Sequence, residues 1–243
     1  MTRPSPAQSF KALETTWPAS EVCRVGPWTL RRGDGGGKRV SAATALGPVG
    51  DVDIAAAESG MRAWDQVPLF MVRSGEEVLD NSLENRGYPI VDPVFLYCNR
   101  VAEIASEQPL TASMPSWPPL ATQREIWNTA GIGAARQAVM ERCGNPKTTL
   151  LGRFGDVPAG TAFVGIVGDM AMVHAIEVLP RLQRTGVGRH LMQGAANWAA
   201  DKGADWLCLA VTQENVAANA LYQSLGMEVV TRYHYRRAPE VAI

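Results

Sequence analysis

The tightest constraint in these 243 residues is one segment that runs from a strand-like stretch through two closely spaced glycines into a helix. It spans His174-Ala-Ile-Glu-Val178, then Leu-Pro-Arg-Leu-Gln183-Arg-Thr-Gly186-Val-Gly188-Arg189. The pattern predicts strand, short loop, then helix from Arg189 to Lys202. In that helix Leu191, Met192, Ala195, Ala196 and Ala199 share a face, and Gly203 is a fitting stop. Glycines let the backbone turn and approach a ligand closely, while the free N–H groups of a helix start gather at one point. Such a nest suits a pyrophosphate, and Arg184 and Arg189 add positive charge. A glycine-containing strand-to-helix turn is common by itself, so its surroundings must decide. Two rival phosphate loops fail. Gly33-Asp-Gly-Gly-Gly-Lys38-Arg39 lacks the Ser or Thr a Walker loop needs after its lysine and leads into a predicted strand. Gly131-Ile-Gly133 has neither a third glycine nor a strand before it.

Around this segment the pattern predicts strands over Lys147 to Arg153, Thr161 to Val167, Met170 to Val178, Trp206 to Val211 and Met227 to Tyr235. Helices are predicted over Ile132 to Arg142 and Val216 to Leu225. Ala159 to Leu179 is apolar enough to suggest a membrane span, but Gly168-Asp169 interrupts it and His174 and Glu177 follow, so two strands joined by a turn are expected. The N-terminal half offers helices over Ala7 to Thr15, Asp53 to Trp64 and Glu76 to Asn85. Its predicted strands are Cys23 to Arg31, Lys38 to Ala45, Pro68 to Arg73 and Pro89 to Tyr97. Strands alternating with helices in both halves predict mixed α/β layers. A proline-rich stretch separates the halves, giving expected boundaries of 1–106, a linker over 107–123, and 124–243.

Composition narrows the function classes. Hydrophobic residues make up 46% and charged residues 19%, enough apolar content for a core without staples. A formal net charge of -1 gives no electrostatic case for nucleic acid or an anionic membrane. Four scattered cysteines with no CxxC pair, and three histidines, predict no metal site. The first residues lack a signal-peptide apolar region, so a cytoplasmic location is expected.

One helix and one strand after the glycine loop stands Asn215-Val-Ala-Ala218-Asn-Ala-Leu221-Tyr222-Gln-Ser-Leu-Gly226-Met227. Here the sequence resembles the GNAT acetyltransferase superfamily. Gln183, Gly186 and Gly188 match that family's Gln/Arg-x-x-Gly-x-Gly/Ala signature. Asn215, Ala218, Leu221, Tyr222 and Gly226 match its Asn-x-x-Ala-x-x-Leu-Tyr-x-x-x-Gly-Phe pattern, with Met227 in place of Phe. The resemblance covers roughly residues 130–236 and implies a GNAT fold. The first half resembles, more loosely, the degenerate half of tandem GNAT proteins, which implies two tandem GNAT-like domains. Glu76 and Glu77, after Ser74-Gly75, would repel a pyrophosphate there, so that half is expected to bind no coenzyme and to shape the acceptor pocket.

The resemblance also implies roles. Acetyl-CoA would be the co-substrate, its arm pairing with the backbone of Ile176, Glu177 and Val178, with the Val178 amide as oxyanion donor. The amides of Arg184, Thr185, Gly186, Val187, Gly188 and Arg189 would hold the pyrophosphate, and Gln183 would belong to the same coenzyme-binding loop. Asn215 would bond the coenzyme arm, though Asn before Val216 is equally a helix N-cap. Tyr222 would protonate the leaving thiolate, against the alternative of a core aromatic.

The base is left open between His174, Glu177 and an ordered water. Strict alternation puts His174 on one face with Ile176 and Val178, and Glu177 on the other. The strand resembles that of arylalkylamine acetyltransferases with a histidine base, while a hydrogen-bonded core histidine is an equal reading. Ribosomal-protein acetyltransferases carry a catalytic Glu where this chain has Ala210.

The expected function is acetyl transfer to an amine of a small molecule or peptide by direct attack in a ternary complex. Its rival is a non-catalytic acyl-CoA sensor or scaffold. No nucleic acid, membrane or metal partner is expected, and a homodimer is left open.

Overall fold

The structure, a computed structural model, describes residues 2–109 and 112–239. In chain order the elements are α1 (Pro6–Thr16), β1 (Glu21–Val25), β2 (Trp28–Arg32), β3 (Thr44–Ala45), α2 (Asp51–Arg62), β4 (Leu69–Arg73), α3 (Glu77–Asn85) and β5 (Ile90–Arg100). There follow α4 (Val101–Ile104), β6 (Ser113–Ser116), α5 (Ala121–Thr129), α6 (Ala134–Arg142), β7 (Lys147–Phe154), β8 (Val157–Val167) and β9 (Met170–Val178). The last are α7 (Val187–Asp201), β10 (Trp206–Thr212), α8 (Val216–Ser224) and β11 (Glu228–Arg237). Two successive runs share one order. Three strands, a helix, a strand, a helix and a strand appear first as β1 to β5 with α2 and α3, then as β7 to β11 with α7 and α8.

The chain divides into two compact units. The first comprises residues 1–18, 96–211 and 215–230, and the second residues 19–95, 212–214 and 231–243. In the first unit β6, β7, β8 and β9 pair antiparallel in succession and β10 joins β9 in parallel, making a mixed sheet. The 96–100 end of β5 neighbours β10 and is tied to it by a Cys98–Cys208 disulfide. Helix α7 packs against β7, β8 and β9, and α1 and α5 pack against β8 and β9. Close contact demands glycine here: a Cβ on Gly160 would meet Glu177 O at 2.7 Å and the Val187 side chain at 3.1 Å. In the second unit β1, β2 and β3 form an antiparallel sheet, and β4 pairs with the 233–237 stretch of β11. Its core gathers Trp28, Leu30, Ile54, Met61, Phe70 and Leu83, all fully buried.

Local chemistry explains where the structure departs from the sequence expectation. Cys23 to Arg31 is two strands, because Gly26 turns at φ 55 ahead of Pro27 and the register Val25↔Trp28 closes a two-residue hairpin. Lys38 to Ala45 is mostly not strand. Gly37 enters at φ 97, and a 3-10 turn over Lys38–Val40 is held by Ser41 Oγ donating to Gly37 O at 3.1 Å. The stretch expected as linker carries β6 and the start of α5, while its Leu110 and Thr111 lie outside the described residues. Pro115 is tolerated in β6 because that strand pairs on one side only, with β7. The Gln123 carboxamide accepts from Leu120 N at 2.8 Å, which starts α5 without a Ser or Asp cap.

The repeated order also corrects which loop of the first half corresponds to the glycine loop. The counterpart lies between β3 and α2, residues 46–50, and not at Ser74-Gly75 between β4 and α3.

Candidate active site

A cleft of about 630 Å3 opens at the C-terminal end of β9, between the starts of α7 and α8. Its geometry begins with an interrupted ladder. Strand β9 pairs with β10 from Met170↔Trp206 to Val173↔Leu209, while both strands continue further, to Val178 and Thr212. Beyond Val173 the two strands part.

A bulge marks the parting. On β8 and β9, Phe163 opposes His174 and Thr161 opposes Glu177, so two steps on one strand match three on the other. The extra residue is taken up beside Ala175, whose φ of 49 is left-handed. The expectation that Glu177 faces away from His174 is therefore corrected. Residues 161 and 163 share a face, so their partners Glu177 and His174 do too. Beyond the bulge, Leu179 N donates to Ala159 O on the β8 side at 2.9 Å. Alternation then turns the Val178 and Ile176 backbone groups the other way, towards the open gap.

The glycine loop closes the next wall. After a 3-10 turn at Pro180–Leu182, Arg184 takes φ 65 and Gly186 φ 94, and α7 starts at Val187 with no side-chain cap. The first amides of α7 thus have no intrahelical acceptor and point outward from the helix start. A Cβ on Gly188 would meet Leu221 Cδ2 at 3.1 Å, so this glycine lets α7 approach α8. Arg189 Nη2 donates to Ser224 Oγ at 2.8 Å, a second tie between these helices.

Among the residues expected at the site, Ile176, Glu177, Val178, Gln183, Arg184, Gly186, Gly188, Arg189, Asn215 and Tyr222 line this cleft. Three others sit elsewhere. Val187 is buried, its side chain turned towards Gly152 and Gly160 in the core. Thr185 Oγ1 donates to Leu182 O at 2.7 Å and holds the loop. His174 is 3% exposed, its Nε2 lies 2.8 Å from Thr16 Oγ1, and its ring centroid lies 4.9 Å from that of Trp17 with the planes tilted by 31°.

Asn215 is a helix cap, its Oδ1 accepting from Ala218 N at 3.1 Å. Its carbonyl accepts from the Asn219 carboxamide, whose own oxygen accepts from Tyr97 OH at 3.1 Å. The Tyr97 ring lies 6.0 Å from that of Tyr222. Burial, then the Glu177 carboxylate, push the Tyr222 phenol well above its usual range, so it keeps its proton. Burial also raises the Glu177 carboxyl, partly offset by the Arg136 guanidinium. Sequence reasoning missed Thr16 and Tyr97, because their places come from tertiary contacts that no spacing encodes.

An uncapped helix start, two arginines and an open strand edge are what a pyrophosphate with an amide-bearing arm requires, so the residues fit acetyl-CoA. Residues 107–227 match the acetyltransferase (GNAT) family, which places the chain in that family. The chain is 24% identical to the uncharacterized N-acetyltransferase YobR of Bacillus subtilis, over 91% of this chain and 94% of that one. A 73-residue stretch is 38% identical to the ribosomal protein bS18-alanine N-acetyltransferase of Escherichia coli, covering 30% of this chain and 49% of that enzyme. The fold is that of a GCN5-related N-acetyltransferase from Kribbella flavida, with a TM-score of 0.74, 20% identity, and 97% and 96% of the two chains covered.

The described residues contain no group of three or more His, Cys, Asp or Glu side chains placed to hold a metal, and no helix long and apolar enough to cross a membrane.

Proposed function

We propose that this chain is an acetyl-CoA-dependent N-acetyltransferase that acts on an amine of a small molecule or peptide by direct attack in a ternary complex. The observation that carries the reading is one cleft lined by the glycine loop, the open edge of β9, Glu177 and Tyr222 together. Acetyl-CoA, when bound, supplies the thioester carbonyl that the amine attacks. The start of α7, with Arg184 and Arg189, holds the pyrophosphate. The Val178 amide donates to the oxygen that gains charge. Tyr222, kept protonated by burial, gives its proton to the departing sulfur.

Glu177 is the base the geometry favours. It lines the cleft, and a raised carboxyl pKa makes its carboxylate a stronger proton acceptor. His174 is directed to Thr16 instead. The named acceptor of the ribosomal relative is a protein alanine, which keeps a peptide amine among the candidates. Ala210 stands where that class of enzyme carries its glutamate, so the proton must leave by another route.

Calorimetric titration with acetyl-CoA tests the reading. One site per chain, lost in Gly186→Asp, is expected. A carboxylate placed at the helix start repels the pyrophosphate and takes the partial positive charge itself, costing about 2 kcal/mol, roughly 30-fold in affinity. No binding by the wild-type chain would withdraw the reading.

A further inference from the structure

The bulge that parts β9 from β10 rests on a residue with a conformational cost. Ala175 is not glycine, yet it holds φ 49. Its carbonyl has a buried partner outside the sheet: Trp127 Nε1 on α5 donates to Ala175 O at 2.8 Å. The Trp127 side chain is fully buried and is not among the residues lining the cleft. The neighbouring residue is held as well. Thr16 Oγ1 on α1 lies 2.7 Å from Ala12 O and is hydrogen-bonded to His174 Nε2 at 2.8 Å. Two helices beside the sheet thus each hold one residue of the bulge.

We propose that Trp127 is a positioning residue for the acyl-donor edge: its indole N–H keeps the Ala175 carbonyl turned out of the strand ladder and so holds the backbone of Ile176 to Val178 open for ligand. This rests on the coenzyme reading above and adds to it a residue with no contact to the cleft. A buried carbonyl deprived of its partner must find another. The nearest alternative is a regular, unbulged β9, which would return its edge towards β10. Trp127 therefore acts through Ala175 and not on any reacting atom.

The test uses the full chain in three forms: wild type, Trp127→Phe, and Trp127→Phe with Ala175→Gly. Acetyl-CoA affinity should fall about 3- to 30-fold in Trp127→Phe, the range for one buried hydrogen bond. Much of it should return with Ala175→Gly, because glycine adopts the left-handed conformation without support. A role in packing alone would lower the melting temperature with no such rescue. Should Trp127→Phe fail to fold, 3-benzothienylalanine at position 127 keeps the ring shape and removes only the N–H.

Hydrogen exchange on the ligand-free protein gives a readout independent of the coenzyme. The Leu179 amide, bonded to Ala159 O beyond the bulge, should exchange several-fold faster in Trp127→Phe. Unchanged exchange, or unchanged affinity where the wild type binds, overturns the positioning role. A wild type that binds no acetyl-CoA removes the coenzyme reading and the ligand part of this proposal. Faster exchange in Trp127→Phe would then still support the hold on the bulge.

Discussion

The two helices that follow the third strand of each repeated run begin in opposite ways. Helix α7 starts after Gly186 at φ 94 with no side-chain cap, and Arg184 and Arg189 flank it. Helix α2 starts after Gly50 with Asp51 and Asp53 in its first turn, and Asp53 Oδ2 accepts from Gly50 N at 2.9 Å. Neither start has a side-chain cap on its first amides, but one leaves its partial positive charge for an outside anion, while the two first-turn carboxylates neutralise the other. The next helices differ in the same sense. Helix α8 presents Tyr222 at the cleft, whereas α3 buries Leu79 and Leu83. One element order can serve either as a ligand cradle or as plain scaffold, and the difference lies in a handful of side chains at the helix starts.

The comparison can be broken most sharply at Tyr222. Tyr222→Phe makes α8 as inert as α3 and should lower kcat about 10²- to 10⁴-fold, the usual worth of a general acid, with acetyl-CoA affinity little changed. Unaltered turnover in steady-state assays would remove the assignment. Glu177 comes next. Its raised carboxyl must lose a proton to act, so kcat/KM should rise with pH through a limb above the ordinary carboxylate range and level off once Glu177 is ionised. Glu177→Gln should lower the plateau and abolish that limb in a pH–rate profile; a persisting limb would assign it to another group.

The Cys98–Cys208 disulfide belongs to the cleft-bearing unit, while Cys23 in the second unit is free. Replacing both disulfide cysteines by alanine should cost about 2–4 kcal/mol in denaturant unfolding. Overlapping unfolding curves would show that the link adds nothing. The smallest effect concerns the α2 start. Asp53→Ala should cost about 1 kcal/mol through loss of its bond to Gly50 N and should create no second acetyl-CoA site. Two sites per chain in the calorimeter, in either protein, would dissolve the contrast between the two helix starts.

Much of the cleft was legible in advance. Gly186, Gly188, Asn215 and Tyr222 could be named in advance because they stand in two motifs that resemble the GNAT pattern. The left-handed turn at Gly186 and the cap at Asn215 are also local demands. Strand β9 was also legible from end to end, since Met170 to Val178 is apolar apart from His174 and Glu177 and follows the turn at Gly168-Asp169. The face each of its residues presents was not. Alternation assumes an unbroken pleat, and nothing in His174-Ala-Ile-Glu announces that Ala175 turns left-handed.

The sequence by itself determined the element order from α6 to β11 and the glycine loop, through local periodicity and backbone sterics, and pointed to the family through two spaced motifs. Only the tertiary structure decided that Glu177 shares a face with His174, that His174 is bonded to Thr16, and that Cys98 meets Cys208 across 110 residues. Those outcomes depend on hydrogen bonds and contacts between residues far apart in the chain. The partners become neighbours only when the helices pack on the sheet and the strands find their register.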